Sequence, residues 1–92
     1  MTKTKDAVDM FFDALRIPDG GNRARVLYAR AYAMSTEELL EARGRWIGER
    51  QRRLDKFVEM DAPRVIIKNE RLMLTKGAAV VLLNKVLRER GI

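Results

Sequence analysis

Apolar side chains recur along this chain mostly at helical spacing. Val8, Phe11, Phe12 and Leu15 fall at i, i+3, i+4 and i+7 while Asp6, Asp9 and Asp13 take the other side, which predicts an amphipathic helix over 4–16. Pro18 ends it. The stretch from Ile17 to Asn22 gathers proline, two glycines and two side chains that bond to nearby backbone, the composition of a turn. Asn22 is then placed to cap a second helix over 23–34, with Leu27, Tyr28, Ala31 and Tyr32 at core spacing.

Ser35-Thr36-Glu37-Glu38 has the form of a capping box. The hydroxyl accepts the amide three residues on, and the glutamate reaches back, so a third helix starts at 36. It runs to about residue 60 with Leu39, Leu40, Ile47, Leu54, Phe57 and Val58 on one face. Gly44 and Gly48 weaken it by up to about 1 kcal/mol each. Asp61-Ala62-Pro63 punctuates the chain again, because proline disfavours helix for its predecessor but suits a first turn, and Asp61 can cap a further helix. That fourth helix is expected over 63–90. Val65, Ile66, Leu72, Met73, Val80, Leu83 and Leu87 share one broad face, and Ile67, Leu74, Val81 and Leu82 form a second strip nearly opposite. An element apolar on two sides is central, packed by helix three on one side and by helices one and two on the other.

A second-ranked alternative takes Arg64-Val-Ile-Ile and Leu72-Met-Leu as two short strands around Lys68-Asn-Glu-Arg, ahead of a helix capped at Thr75, since short apolar runs are ambiguous by periodicity. The three-residue link at 61–63 leaves helices three and four no arrangement but an antiparallel hairpin. The expected fold is all-α: one domain over 1–92, with a long helical hairpin (36–60 and 63–90) and two shorter N-terminal helices.

Composition narrows the function. At 92 residues there is room for one core, and 47% apolar with 35% charged residues is the make-up of a soluble globular chain. Cysteine and histidine are absent, which removes disulfides, thiolate nucleophiles, the commonest metal ligands and the usual general base. Ser35 is the only serine, and no nucleophile stands beside a base, so neither an enzyme nor a cofactor is expected. No apolar run approaches the roughly 18 residues of a membrane helix, and the N-terminus lacks a leader pattern. No membrane role is expected, and the cytoplasm is the default location.

Nineteen Lys and Arg against thirteen Asp and Glu give a net charge of +6, and most of the cations are Arg, the side chain suited to forked contacts with phosphate or carboxylate. The excess is densest on helix three, where Arg43, Arg45, Arg50, Arg52, Arg53 and Lys56 meet only Glu49 and Asp55. Such a patch fits a phosphate backbone, with Arg43, Arg45, Arg52, Arg53 and Lys56 as the contacting set. It equally fits a solvated face laced with pairs such as Glu49–Arg53. No aromatic platform, glycine-rich phosphate loop or well-proportioned helix-turn-helix is recognisable. Trp46, beside Arg45, is either a core-edge residue or a binding hot spot, for which an aromatic among arginines is a common composition.

Residues 50 to 84 carry a likeness. The run Arg50-Gln-Arg-Arg-Leu-Asp-Lys-Phe-Val-Glu-Met-Asp-Ala-Pro-Arg-Val-Ile-Ile-Lys-Asn-Glu-Arg-Leu-Met-Leu resembles the clamp-helix coiled coil of the largest (beta-prime) subunit of bacterial RNA polymerase. Arg50, Arg53, Leu54, Ala62, Pro63, Ile66, Asn69, Glu70, Met73 and Leu74 are identical in type to that pattern, and Val65, Ile67 and Lys68 are close substitutions. In that family the segment docks region 2 of sigma factors. The resemblance implies contact roles for Arg50 and Glu70, a small residue at Gly77, and a protein that occupies a sigma factor or engages the polymerase. The likeness covers about a third of the chain, and Val81 and Leu83 are more apolar here than in the family's exposed coil.

The leading expectation is therefore a non-enzymatic helical regulator that binds a macromolecular partner, a sigma factor or another host machine, through Arg50, Arg53, Glu70, Lys68, Gly77 and Trp46. Small, basic, non-catalytic chains of this kind are common among phage- and plasmid-encoded inhibitors of host complexes. A phosphate-contacting nucleic-acid binder is the alternative. A homo-oligomer, burying the strip of Ile67, Leu74 and Val81 against another copy, is a third reading.

Overall fold

Five helical segments succeed one another in the computed structural model, which describes residues 6–18 and 21–92: α1 (Ala7–Ala14), α2 (Asn22–Ala33), α3 (Thr36–Glu59), α4 (Arg64–Lys76) and α5 (Ala78–Glu89). No strand occurs among the described residues, so 64–74 is helix and not a pair of strands. The segments α4 and α5 make one long helix bent at Gly77, and the chain is all-α with four helices as expected. Residues 4 and 5, where the first helix was expected to start, and the turn residues Asp19 and Gly20 lie outside the described residues.

Caps set the element boundaries. Asp6 accepts the amide of Asp9 at 2.8 Å and begins α1. Both halves of the expected box form at α3, where Ser35 Oγ accepts the Glu38 amide at 3.1 Å and Glu38 Oε1 accepts the Ser35 amide at 2.9 Å. Two expected caps do not form. Asn22 is already the first residue of α2, and Gly21, at φ 90, holds the cap position with no side-chain bond. Asp61 does not cap α4, whose cap position is Pro63, again without a side-chain bond.

The core is built from α1, α2, the first half of α3 and α5. Phe11, Met34, Leu39, Leu83, Val86 and Leu87 are fully enclosed, with Val8, Leu27, Ala31, Ala42 and Val80 around them. Segment α5 packs against α3 and α2, α1 packs against α2 and α3, and α4 packs on α3 beyond its bend with α5. The expected central position thus belongs to α5 alone. Periodicity also placed Leu40, Ile47 and Val58 inward on α3, and all three are exposed; Ala42 and Trp46 take the inner positions instead.

Candidate functional site

Beyond Trp46 the chain leaves the body. The second half of α3 and all of α4 form an antiparallel arm, and between Gln51 and Lys76 only Leu54 and Glu70 are buried. The Cα radius of gyration is 14.5 Å, where a fully compact chain of this length has about 12 Å, as a projecting arm requires. Asn69 and Lys76 are both exposed, so this part of α4 is open to solvent.

The tip is closed by backbone geometry. Asp61 turns into the left-handed region at φ 55, its amide bonds Val58 O at 3.1 Å, and the Ala62 amide bonds Phe57 O at 3.0 Å. These are the two bonds of a Schellman end, so Asp61 finishes α3. Pro63 then opens α4, its carbonyl accepting the amides of Ile66 and Ile67.

At the base of the arm, Trp46 is only 7% exposed and donates its indole N–H to the Met73 carbonyl at 3.3 Å. Gly77 sits beneath it, and a Cβ there would meet Met73 O at 2.8 Å and Trp46 Cζ2 at 3.0 Å. The bend in the long helix is therefore where the indole crowds the backbone. Both Trp46 and Gly77, expected at a partner contact, are interior joints of the arm.

Arg50 lies with its guanidinium carbon 4.3 Å from the centre of the Trp46 ring, and its Nη1 is 3.7 Å from Glu70 Oε2. Arg53 reaches Glu70 Oε1 at 4.0 Å. These separations are too long for hydrogen bonds, and Oε2 is buried without one, so the attraction is mostly charge against charge in a partly dried site. The structure thus brings Arg50, Arg53 and Glu70 together, facing one another across α3 and α4.

Lys68 is different. With Val58, Arg64, Ile67 and Arg71 it lines a cleft of about 450 Å³ on the arm, and no carboxylate shares that lining. Met60 (65%), Val65 (63%), Ile66 and Leu72 are also exposed on the arm. Arg64 and Arg71 were not among the residues singled out from the sequence; the signal was there, since 64, 68 and 71 share one side of a helix.

The five-residue phosphate-contacting set is dispersed. Arg43 donates to Asn84 Oδ1 at 3.0 Å and ties α3 to α5. Arg45 donates to Asp9 at 3.0 Å and Glu49 at 3.2 Å and stacks on Phe12, tying α3 to α1. Burial lowers the Arg45 pKa, but the hydrogen bonds to Asp9 and Glu49 outweigh that and hold it above its ordinary value. Glu49 is thereby bonded to Arg45, not to Arg53. Arg52, Arg53 and Lys56 remain exposed on the arm.

The tyrosines at core spacing on α2 also turn outward. Tyr28 and Tyr32 are each 45% exposed and stack on one another, centroids 6.4 Å apart. Among the described residues no group of three carboxylates is placed to hold a metal ion, and no helix is long and apolar enough to cross a membrane.

Fold and surface define a small all-helical protein with a projecting two-helix arm. The chain matches no protein-family model, no curated protein and no solved structure.

Proposed function

We propose that this protein is a non-enzymatic, cytoplasmic regulator that acts by docking its arm on a protein partner, with a bacterial sigma factor as the first partner to test. One observation carries the reading: the arm holds a cleft lined by Val58, Arg64, Ile67, Lys68 and Arg71, and leaves Met60, Val65, Ile66 and Leu72 in solvent elsewhere on its surface. Exposed apolar side chains interspersed with cations, on an arm held away from the body, have the composition of a protein interface. Of residues 50–84, which resemble the sigma-docking hairpin of the polymerase, 50–76 make up most of the arm and 78–84 lie in α5, and the overlap with the arm supports the choice of partner. Because Arg50 and Glu70 engage each other, the reading assigns them to shaping the arm and assigns direct contact to Lys68 and its neighbours.

The test mixes the full chain with purified sigma factor, alone and in competition with core polymerase. Binding that weakens by at least about tenfold in Lys68→Glu and Val65→Asp, both at exposed positions, is expected. No binding, or binding indifferent to both changes, overturns the proposal. Gel shifts with nucleic acid at rising salt serve the alternative, for which Arg52, Arg53 and Lys56 are the cations of that set exposed on the arm.

A further inference from the structure

Between α2 and α5 lies an open groove of about 300 Å³, which begins at Ala78 next to the Gly77 bend. Leu27 and Leu82 are its buried floor, Ala24 and the half-exposed Val81 its walls, and Tyr28 and Lys85 its rim, the ammonium lying 5.2 Å from the tyrosine ring centre. Arg23, which has an interaction of its own, lines one end. Among the described residues no carboxylate lines the groove, and α2 contains no acidic residue. The nearest acid on α5 is Glu89, a turn past Lys85, and its Oε2 accepts the Tyr32 hydroxyl at 2.6 Å. Arg88 succeeds Lys85 on the same side of α5 and extends the cationic rim.

We infer that this groove is a second docking surface, whose occupant is an acidic amphipathic helix of a partner protein. The apolar floor of Leu27 and Leu82 takes aliphatic side chains, and the rim attracts carboxylates on the flanks of the same helix. Charge decides among occupants. A second copy of this chain, itself at +6, brings like charge to a basic rim. A nucleic-acid strand satisfies the rim but offers no aliphatic groups to cover Leu27, Val81 and Leu82. An acidic amphipathic helix satisfies both. The groove shares no residue with the arm cleft, so the chain presents two separate faces.

The experiment titrates the full chain with a labelled synthetic helix carrying leucines at i, i+3, i+4 and i+7 and glutamates elsewhere. Controls are the same peptide with glutamines for glutamates, and a scramble that keeps composition but not spacing. The acidic helix is expected to bind at least about tenfold more tightly than either control and to weaken with salt. Val81→Asp and Lys85→Glu, both at exposed positions, are each expected to cost about tenfold or more without lowering the thermal midpoint. Nuclear magnetic resonance shifts should centre on Tyr28, Val81 and Lys85, and Lys68→Glu on the arm should leave this binding unchanged. Equal binding of the scramble, shifts confined to the arm, self-association through Val81, or tighter binding of a single-stranded oligonucleotide at the groove each overturns the inference.

Discussion

Glycine has opposite meanings at two places in this chain. At Gly77 a methyl group would press on a backbone oxygen and an enclosed indole, neither of which can move freely, so Gly77→Ala is expected to destabilise by about 1–3 kcal/mol. At Gly44 and Gly48 a Cβ meets nothing within 4 Å, and each change to Ala should raise stability by up to about 1 kcal/mol, in thermal or denaturant melts. Tyr32 carries a pH dependence. The hydrogen bond it donates to Glu89, assisted by burial and the carboxylate charge, raises its pKa above the ordinary 10.0. The folded chain therefore keeps this proton where the unfolded chain has lost it. The stabilisation is complete below about pH 10 and disappears as pH rises through the folded value. Tyr32→Phe or Glu89→Gln should remove the latest part of the phenolate absorbance change and flatten stability over that interval.

Between residues and the whole lie the joints that connect helices. Asp61 occupies a conformation that costs a side-chain-bearing residue about 1 kcal/mol, so Asp61→Gly is expected to stabilise the tip by roughly 0.5–1 kcal/mol, read from the denaturant midpoint. Glu70 joins the two helices of the arm through Arg50 and Arg53. Glu70→Gln should cost about 1–2 kcal/mol, and a double-mutant cycle with Arg50→Met should show a coupling of about 1 kcal/mol, because a buried carboxylate depends on its cationic partners. The capping box at Ser35 was legible because it is complete within four residues. Asn22 and Asp61 were misassigned because side chains that cap well also tolerate neighbouring positions, and backbone angles choose between them. The Arg50–Glu70 pairing was within reach, since both residues lie at comparable distances from a tip at Asp61 in an antiparallel hairpin. The bend at Gly77 was not: it depends on Trp46, a packing partner on another helix, and no local pattern contains it.

For the molecule as a whole, periodicity gave the helices but overstated the core. It assigned an inner face to every apolar stripe, yet Tyr28, Tyr32, Ile47, Val58 and Val65 are exposed, because a single layer of neighbours covers only part of each stripe. The covered part is set by the division into body and arm, and that division depends on contacts distant in sequence. The same division separates two opening reactions. Amides in the arm are held by two helices with few enclosed side chains, whereas those of Val80 to Leu87 are held by the main core, so hydrogen exchange should be markedly faster over 55–75 than over 80–87. A ligand seated on the arm suppresses only the first opening, and one seated between α2 and α5 slows the second. The exchange pattern of the bound chain is thus a map of where its partner sits, obtained without altering a residue.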